Sequence, residues 1–245
     1  MHLIELPLDA AALTRFAWQQ GHAAMQSQSD EDFGYAAHAW LAATLGDLAP
    51  RPYRLMESRR GLRLLGYAAE PITHLAEHAL TFAQPAALGV CDWSTAAGKA
   101  MPDAWSAGRR LGFEVRACPV SRGERERDLY LVEIEAAKAE GRDPASRADI
   151  YGRWLIGQLQ RDGAAVAAPQ GITLAGFRRV HSLRQMRSGE GRRHRGVERP
   201  DALFTGELQI HDPAAFARLL ARGIGRHRTF GFGMVLLRPP TASGS

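Results

Sequence analysis

Asp212-Pro213-Ala214-Ala215-Phe216-Ala217-Arg218-Leu219-Leu220-Ala221-Arg222-Gly223-Ile224-Gly225-Arg226-His227-Arg228-Thr229-Phe230-Gly231-Phe232-Gly233-Met234-Val235-Leu236-Leu237 reads as a capped helix, a glycine-rich basic loop and a strand. Asp212 suits an N-cap, Pro213 the first helical turn, and Gly223 the turn-out after the helix. Phe216, Leu219 and Leu220 recur at helical spacing and predict a face packed on a sheet. Gly223, Gly225, Gly231 and Gly233 let the backbone pass close to a partner, and Arg226, His227 and Arg228 favour a negatively charged one. No Lys-Ser/Thr follows the glycines, and they come after a helix rather than before one. That order excludes a nucleotide P-loop, whose helix starts where the phosphates sit. A loop that tracks a nucleic-acid backbone fits instead.

Working back from this stretch, the element order predicts two ferredoxin-like units in tandem. Residues 2–8 read as a strand, about Leu13 to Met25 as a helix, and the polar stretch 26–32 as a loop. Phe33 to Leu45 reads as a second helix, ended by Gly46. Tyr53–Glu57 and Leu62–Tyr67 read as paired strands, Ile72–Phe82 as a helix, and Ala87–Cys91 as a last short strand. Strand, helix, strand, strand, helix, strand is the ferredoxin-like or RRM-like order. Residues 92–108 read as irregular. A second cycle follows: strand Leu111–Val120, helix from about Ala148 to Asp162, strands Ile172–Arg184 and Leu203–Ile210, the capped helix, and strand Met234–Arg238. The expected class is therefore α+β, with an N-terminal domain over 1–98 and a C-terminal domain over 106–245.

The bulk numbers agree with a globular chain that meets a polyanion. The 245 residues are 45% hydrophobic and 23% charged, with a net charge of +5 and a pI near 9.7. There is no apolar run long enough to span a bilayer and no basic, apolar leader at the N-terminus, so a cytoplasmic protein is expected. Cys91 and Cys118 are too isolated for a disulfide framework or a cysteine metal site. Eight arginines (178, 179, 184, 187, 192, 193, 195 and 199) crowd a segment that carries only Glu190 and Glu198 against them. A basic hairpin between two strands suits phosphate contacts, and the planar guanidinium suits bidentate ones.

Tyr35-Ala-Ala-His38 is the candidate for chemistry. Tyr and His three apart on a helix share a face, one turn apart. An imidazole titrating near neutrality can take a proton from a ribose 2′-hydroxyl or give one to a leaving 5′-oxygen. On an amphipathic helix the same histidine is, by residue type alone, more often a packed or surface residue. A rival pattern is His74-Leu-Ala-Glu77-His78, which fits the inverted zincin spacing, with Glu77 placed to activate a metal-bound water. No downstream third ligand is evident for it. His194 and His227 fit phosphate or base contact better than catalysis.

Several motifs together resemble one family. Gly223 to Pro239 is similar to the C-terminal glycine-rich loop of the CRISPR repeat-processing endoribonucleases of the CasE (Cse) type, subunits of type I-E Cascade. Asp32-Phe-Gly-Tyr35-Ala-Ala-His38 resembles that family's Asp-x-Tyr-x-x-His signature, as Leu111–Val120 resembles its arginine-containing strand. Tyr53-Arg54-Leu55, Gly171–Leu174 and Phe204–Leu208 add to the likeness, which runs through nearly the whole chain. The resemblance implies a metal-independent endoribonuclease with no cofactor. It would cut a hairpin-forming CRISPR repeat RNA at the base of its stem by 2′-hydroxyl attack and stay in Cascade with the other subunits. It implies His38 and Tyr35 as catalytic residues. Arg116, Arg184, Arg187, Arg192, Arg193, Arg195, Arg226, His227 and Arg228 would bind RNA, together with Gly223, Gly225, Gly231 and Gly233. Two departures stand out. An extra stretch at about 10–30, containing His22, precedes the signature helix, and Ala39, Ala42 and Ala43 occupy places where the family often has basic residues. Charge stabilisation of the phosphate then has to come from elsewhere, with Arg187, Arg192 and Arg193 as candidates. A non-catalytic RNA-binding subunit of the same complex is the alternative reading.

Overall fold

A computed structural model describes residues 1–20, 30–59, 61–121, 123, 126–188 and 191–240, and their side chains except those of 30–32 and 181–198. The chain forms two compact units. The first comprises Met1–Asp103 and, from far along the chain, Arg228–Gly231; the second comprises Ala104–His227 and the residues from Phe232 onward.

The first unit runs β1 (His2–Leu8), α1 (Ala10–Gln19), α2 (Asp30–Leu45), β2 (Tyr53–Ser58), β3 (Gly61–Ala68), α3 (Ile72–Phe82), α4 (Pro85–Leu88) and β4 (Ala97–Ala100). Its sheet has the order β2-β3-β1-β4, all antiparallel. This is the ferredoxin-like arrangement, with β1 and β3 in the centre. Every second residue of β1 points inward, so Ile4, Leu6 and Leu8 are buried. Against them pack Leu13 and Phe16 of α1, Ala37, Trp40 and Leu41 of α2, and Leu75 of α3. Trp40 is fully buried and donates its indole N–H to the Ala87 carbonyl at 2.8 Å.

The extra stretch before the signature helix is thus partly explained. Asp9 caps α1 by accepting from Ala12 N at 2.9 Å, and the helix contributes Ala12, Leu13, Phe16 and Ala17 to the core. The helix ends at Gln19 rather than Met25; residues 21–29, with His22, lie outside the described residues. Asp30–Asp32, expected as loop, open α2. The fourth strand is not Ala87–Cys91. Pro85 starts a short helix there, Cys91 makes a single bridge to Leu8, and the edge place is taken by Ala97–Ala100 beside His2–Glu5. All four residues of β4 are exposed, so no alternation of apolar side chains marked it in the sequence.

The second unit contains β5 (Arg110–Ala117), α5 (Leu129–Glu140), α6 (Arg147–Leu159), β6 (Ala165–Val166), β7 (Ile172–Ser188), β8 (Gly191–Ile210), α7 (Pro213–Arg222) and β9 (Val235–Arg238). β8 pairs with β5, which pairs with β9, while β7 and the short β6 pair with successive stretches of β8. Taking β5, β7, β8 and β9 as the four core strands, the order matches that of the first sheet. Helix α7 is capped as expected, Asp212 accepting from Ala215 N at 2.8 Å, and buries Phe216, Leu219 and Leu220. Helix α5 was not legible from periodicity, because among its residues only Ala137 is buried. Its ends carry the signal instead: Asp128 caps Tyr130 N at 2.8 Å and Gly141 turns the chain out with φ of 68°.

β7 and β8 outrun the sheet. β5 pairs with β8 only from Ala202 onward, yet the β7–β8 ladder continues from Arg178↔Asp201 to Ser188↔Gly191. A two-stranded ribbon of roughly 30 Å results, at about 3.3 Å per residue. At its root, Asp201 on β8 joins three strands. It accepts two bonds from Arg116 on β5, at 2.7 and 2.6 Å, and one from Arg178 on β7 at 2.6 Å. Burial pushes the Asp201 carboxyl up, but the two guanidinium groups more than offset this and hold it below the usual carboxylate range. Its stabilisation is present above the unfolded carboxylate pKa of about 3.9 and is lost as pH falls through the depressed folded value. Asp201→Asn is expected to cost about 3 kcal/mol at neutral pH by removing the buried charge that Arg116 and Arg178 share. In urea titrations, the gap between wild type and variant should close as pH falls below about 4.

Candidate functional site

Tyr35 and His38 lie one turn apart on α2, and both touch Phe230. The Tyr35 ring stacks on Phe230 with centroids 4.5 Å apart and planes at 17°, while His38 meets it edge-on at 5.4 Å and 79°. Phe230 belongs to a short helical turn, Arg228–Phe230, within the glycine-rich loop. The loop is fastened there by Tyr53, whose hydroxyl lies 2.9 Å from the Gly34 carbonyl on α2 and 2.8 Å from the Thr229 carbonyl. One phenolic proton is shared between two acceptors. Burial drives the Tyr53 pKa far up, against a smaller opposing effect of Arg51, so the phenol stays a donor at any working pH.

The close approach explains two glycines. A Cβ at Gly34 would stand 2.7 Å from the Phe230 carbonyl oxygen, so α2 needs glycine at that point. Gly231, with φ of 88°, turns the chain away from the buried Tyr53 ring. The motif pair read from the sequence, Tyr-x-x-His and the glycine loop, is therefore one packed structure. Phe230 and Tyr53 were not singled out as site residues. Their signal was an aromatic flanked by glycines and a tyrosine at the start of a strand, and neither reveals a partner.

His38 is half-buried, and its pKa is lowered from 6.5 first by burial and then by the positive charge of Arg51. Its imidazole is neutral at pH 7 and able to accept a proton. Arg51 supplies the positive charge near α2 that Ala39, Ala42 and Ala43 do not. It lies beyond the end of α2, where its backbone N–H bonds the Tyr67 carbonyl at 2.8 Å, and its side chain is exposed.

In the second unit, the proposed RNA-binding residues occupy distinct environments. Arg116 is mostly buried, paired with Asp201, and its guanidinium sits 5.0 Å from the Phe232 ring centre. Arg226 donates to Glu126 at 2.6 Å, and His227 Nε2 lies 2.7 Å from the same carboxylate. His227 has a φ of 61°, unusual for a residue with a side chain. Gly223, Gly225 and Gly233 all have positive φ, between 70° and 78°. The loop closes on itself and on β5 through Ile224 N to Gly233 O at 2.9 Å and Gly233 N to Arg116 O at 2.7 Å. Arg228 falls in the first unit. The backbones of Arg184 and Arg195 are paired across the ribbon, as are those of Arg187 and Arg192, and Arg193 stands opposite Met186. Their side chains, with that of His194, lie outside the described residues.

The zincin-like residues lie on α3, with His74 and Glu77 exposed and His78 partly so. His74 Nδ1 is 3.1 Å from Glu70, and His78 packs on Phe82 with ring centres 4.9 Å apart. Among the described residues, no three His, Cys, Asp or Glu side chains are grouped to hold a metal ion. None of the described helices is long and apolar enough to cross a membrane.

A family model described as CRISPR associated protein matches residues 1–239. The fold is similar to that of CRISPR endoribonuclease Cse3 bound to a 19-nt RNA: TM-score 0.64 at 19% identity, over 98% of this chain and 100% of the other. Thermus thermophilus Cse3, bound to an RNA representing a pre-cleavage complex, gives a TM-score of 0.59 at 19% identity, over 97% and 98%. Cas6e from Escherichia coli K-12 gives 0.50 at 17% identity, over 98% and 100%. At such identities the likeness is one of fold. No curated protein matches the sequence significantly.

Two measurements check this geometry. Tyr53→Phe removes the buried hydroxyl that joins α2 to the loop and is expected to cost about 1 kcal/mol in chemical denaturation. By NMR, His38 is expected to titrate below 6.5, and Arg51→Gln to move its titration upward. An unchanged His38 pKa in that variant would show that burial alone sets it.

Proposed function

Because the chain belongs to the CRISPR-associated protein family, we propose that it is a metal-independent endoribonuclease that cuts CRISPR repeat RNA at the base of its hairpin. The observation that carries the reading is the half-buried, neutral His38 held beside Tyr35 against Phe230 of the glycine-rich loop. The nucleophile belongs to the substrate. The 2′-oxygen attacks the adjacent phosphorus, its proton passes to a base, and the bond from phosphorus to the 5′-oxygen breaks with that oxygen taking up a proton. The products are a 2′,3′-cyclic phosphate and a 5′-hydroxyl. His38, neutral at pH 7, suits the proton-accepting role, with Tyr35 orienting the ribose or sharing the transfer.

Arg51 supports the developing negative charge on the phosphate, in place of a basic residue on α2 itself. The ribbon arginines 184, 187, 192, 193 and 195 hold the RNA duplex, where charge and shape count for more than base edges. Cse3 has been captured with RNA; by the same fold, this chain is expected to retain its cleaved RNA within Cascade, in the cytoplasm, alongside the other subunits. Ala39, Ala42 and Ala43 favour one second reading, a subunit that binds repeat RNA without cutting it.

Incubating the protein with its repeat RNA in EDTA separates the two. Cleavage is expected, and stoichiometric binding without cleavage would establish the second reading. His38→Ala should slow single-turnover cutting by at least about 100-fold while leaving RNA affinity nearly intact. A 2′-deoxyribose at the cut site should block the reaction, and continued cleavage there would rule out internal attack.

A further inference from the structure

The second unit holds a small cavity that the reaction described above does not use. Its volume is about 180 Å³, and Glu126, Asp128, Leu131, Arg179, Arg199 and Pro200 are among the residues lining it. Arg199 faces Val180 in the β7–β8 ladder, near the root of the ribbon. It is only 8% exposed, and its Nε is buried without a hydrogen-bond partner among the described residues. A buried N–H lacking an acceptor carries a desolvation cost.

The two carboxylates of the lining are engaged elsewhere. Glu126 is taken by Arg226 at 2.6 Å and His227 at 2.7 Å. Asp128 is taken by the Tyr151 hydroxyl at 2.6 Å, Tyr130 N at 2.8 Å and Arg147 at 3.1 Å. Each acidic charge thus has a cation outside the lining, while the buried Nε of Arg199 has no hydrogen-bond partner among the described residues. The field is felt next door: burial first, then Arg199, holds the His227 pKa below its usual value, with Glu126 opposing. Leu131 and Pro200 supply apolar wall, which strengthens the pull on an anion.

We propose that this cavity is a phosphate subsite, in which Arg199 and Arg179 hold one phosphate group of the RNA backbone or a free phosphate ion. A tetrahedral oxyanion offers the acceptor that Arg199 Nε lacks, and a guanidinium edge matches two of its oxygens. The RNA source rests on the proposed function, whereas the phosphate chemistry does not.

The test compares full-length wild type with Arg199→Met in two titrations. In the first, melting is followed in sodium phosphate against sodium chloride of equal ionic strength. In the second, affinity for the repeat hairpin RNA is measured between about 50 and 200 mM salt. If the phosphate comes from RNA, the variant binds about ten-fold more weakly, and its log–log salt slope falls in size by about 1. If it comes from solution, phosphate raises the melting temperature of the wild type and not of the variant. The idea is overturned if phosphate stabilises neither protein and the salt slopes coincide, whatever the affinity. Should the wild type bind no RNA, the proposed function fails, and the phosphate titration alone then decides the cavity. Arg179→Gln, at an exposed position, covers the case in which Arg199→Met does not fold. It should show the same loss of slope or of phosphate stabilisation, and the absence of both overturns the proposal.

Discussion

The first unit depends on one buried hydroxyl. Tyr53, fully enclosed at the start of β2, lies within bonding distance of a carbonyl on α2 and of one in the glycine-rich loop nearly two hundred residues away. This hydroxyl ties the loop segment to the helix. Phe230 then reaches the surface of α2 on which Tyr35 and His38 lie, and its ring fixes both. Without a side chain at residue 34 the two backbones can approach; with one they cannot. The Tyr35–His38 pair is thus held by ring packing on a loop that the Tyr53 hydroxyl fastens.

The arginines divide by partner. Arg116 and Arg178 meet Asp201, Arg226 meets Glu126, and Arg147 meets Asp128. These pairs stitch strands and loops together at the root of the ribbon and around α5. Arg51 and Arg199 differ from them: no carboxylate is paired with either among the described ion pairs. One is exposed and acts on His38; the other is buried beside a cavity. A high pI by itself does not separate the two groups, because an arginine held by aspartate and one waiting for phosphate count alike in composition.

Sequence reasoning found most elements because their burial is periodic. The Ile72–Phe82 helix matches its expected ends, and α7 with its Asp212 cap and buried Phe216 needed only local rules. It failed where burial is weak. Helix α5 is held mainly by its caps and by ion pairs, and β4 is a wholly exposed edge strand recruited because β1 had an unpaired side. The ribbon is longer than expected, its backbone ladder running on to Ser188↔Gly191 where β5 no longer pairs with β8.

What the chain determined by itself was local: which stretches form helices and strands, the order that makes two ferredoxin-like sheets, the Tyr35–His38 spacing and the run of arginines. What only the tertiary structure decided was partnership. That Phe230 lies on α2, that Arg116 is spent on Asp201, that His38 feels Arg51 and that Arg199 is buried beside a cavity all depend on residues distant in sequence. The physical reason is range. Helix periodicity, strand alternation and caps are fixed within a few residues, whereas desolvation, ring packing and charge pairing depend on whatever folding brings within a few ångströms.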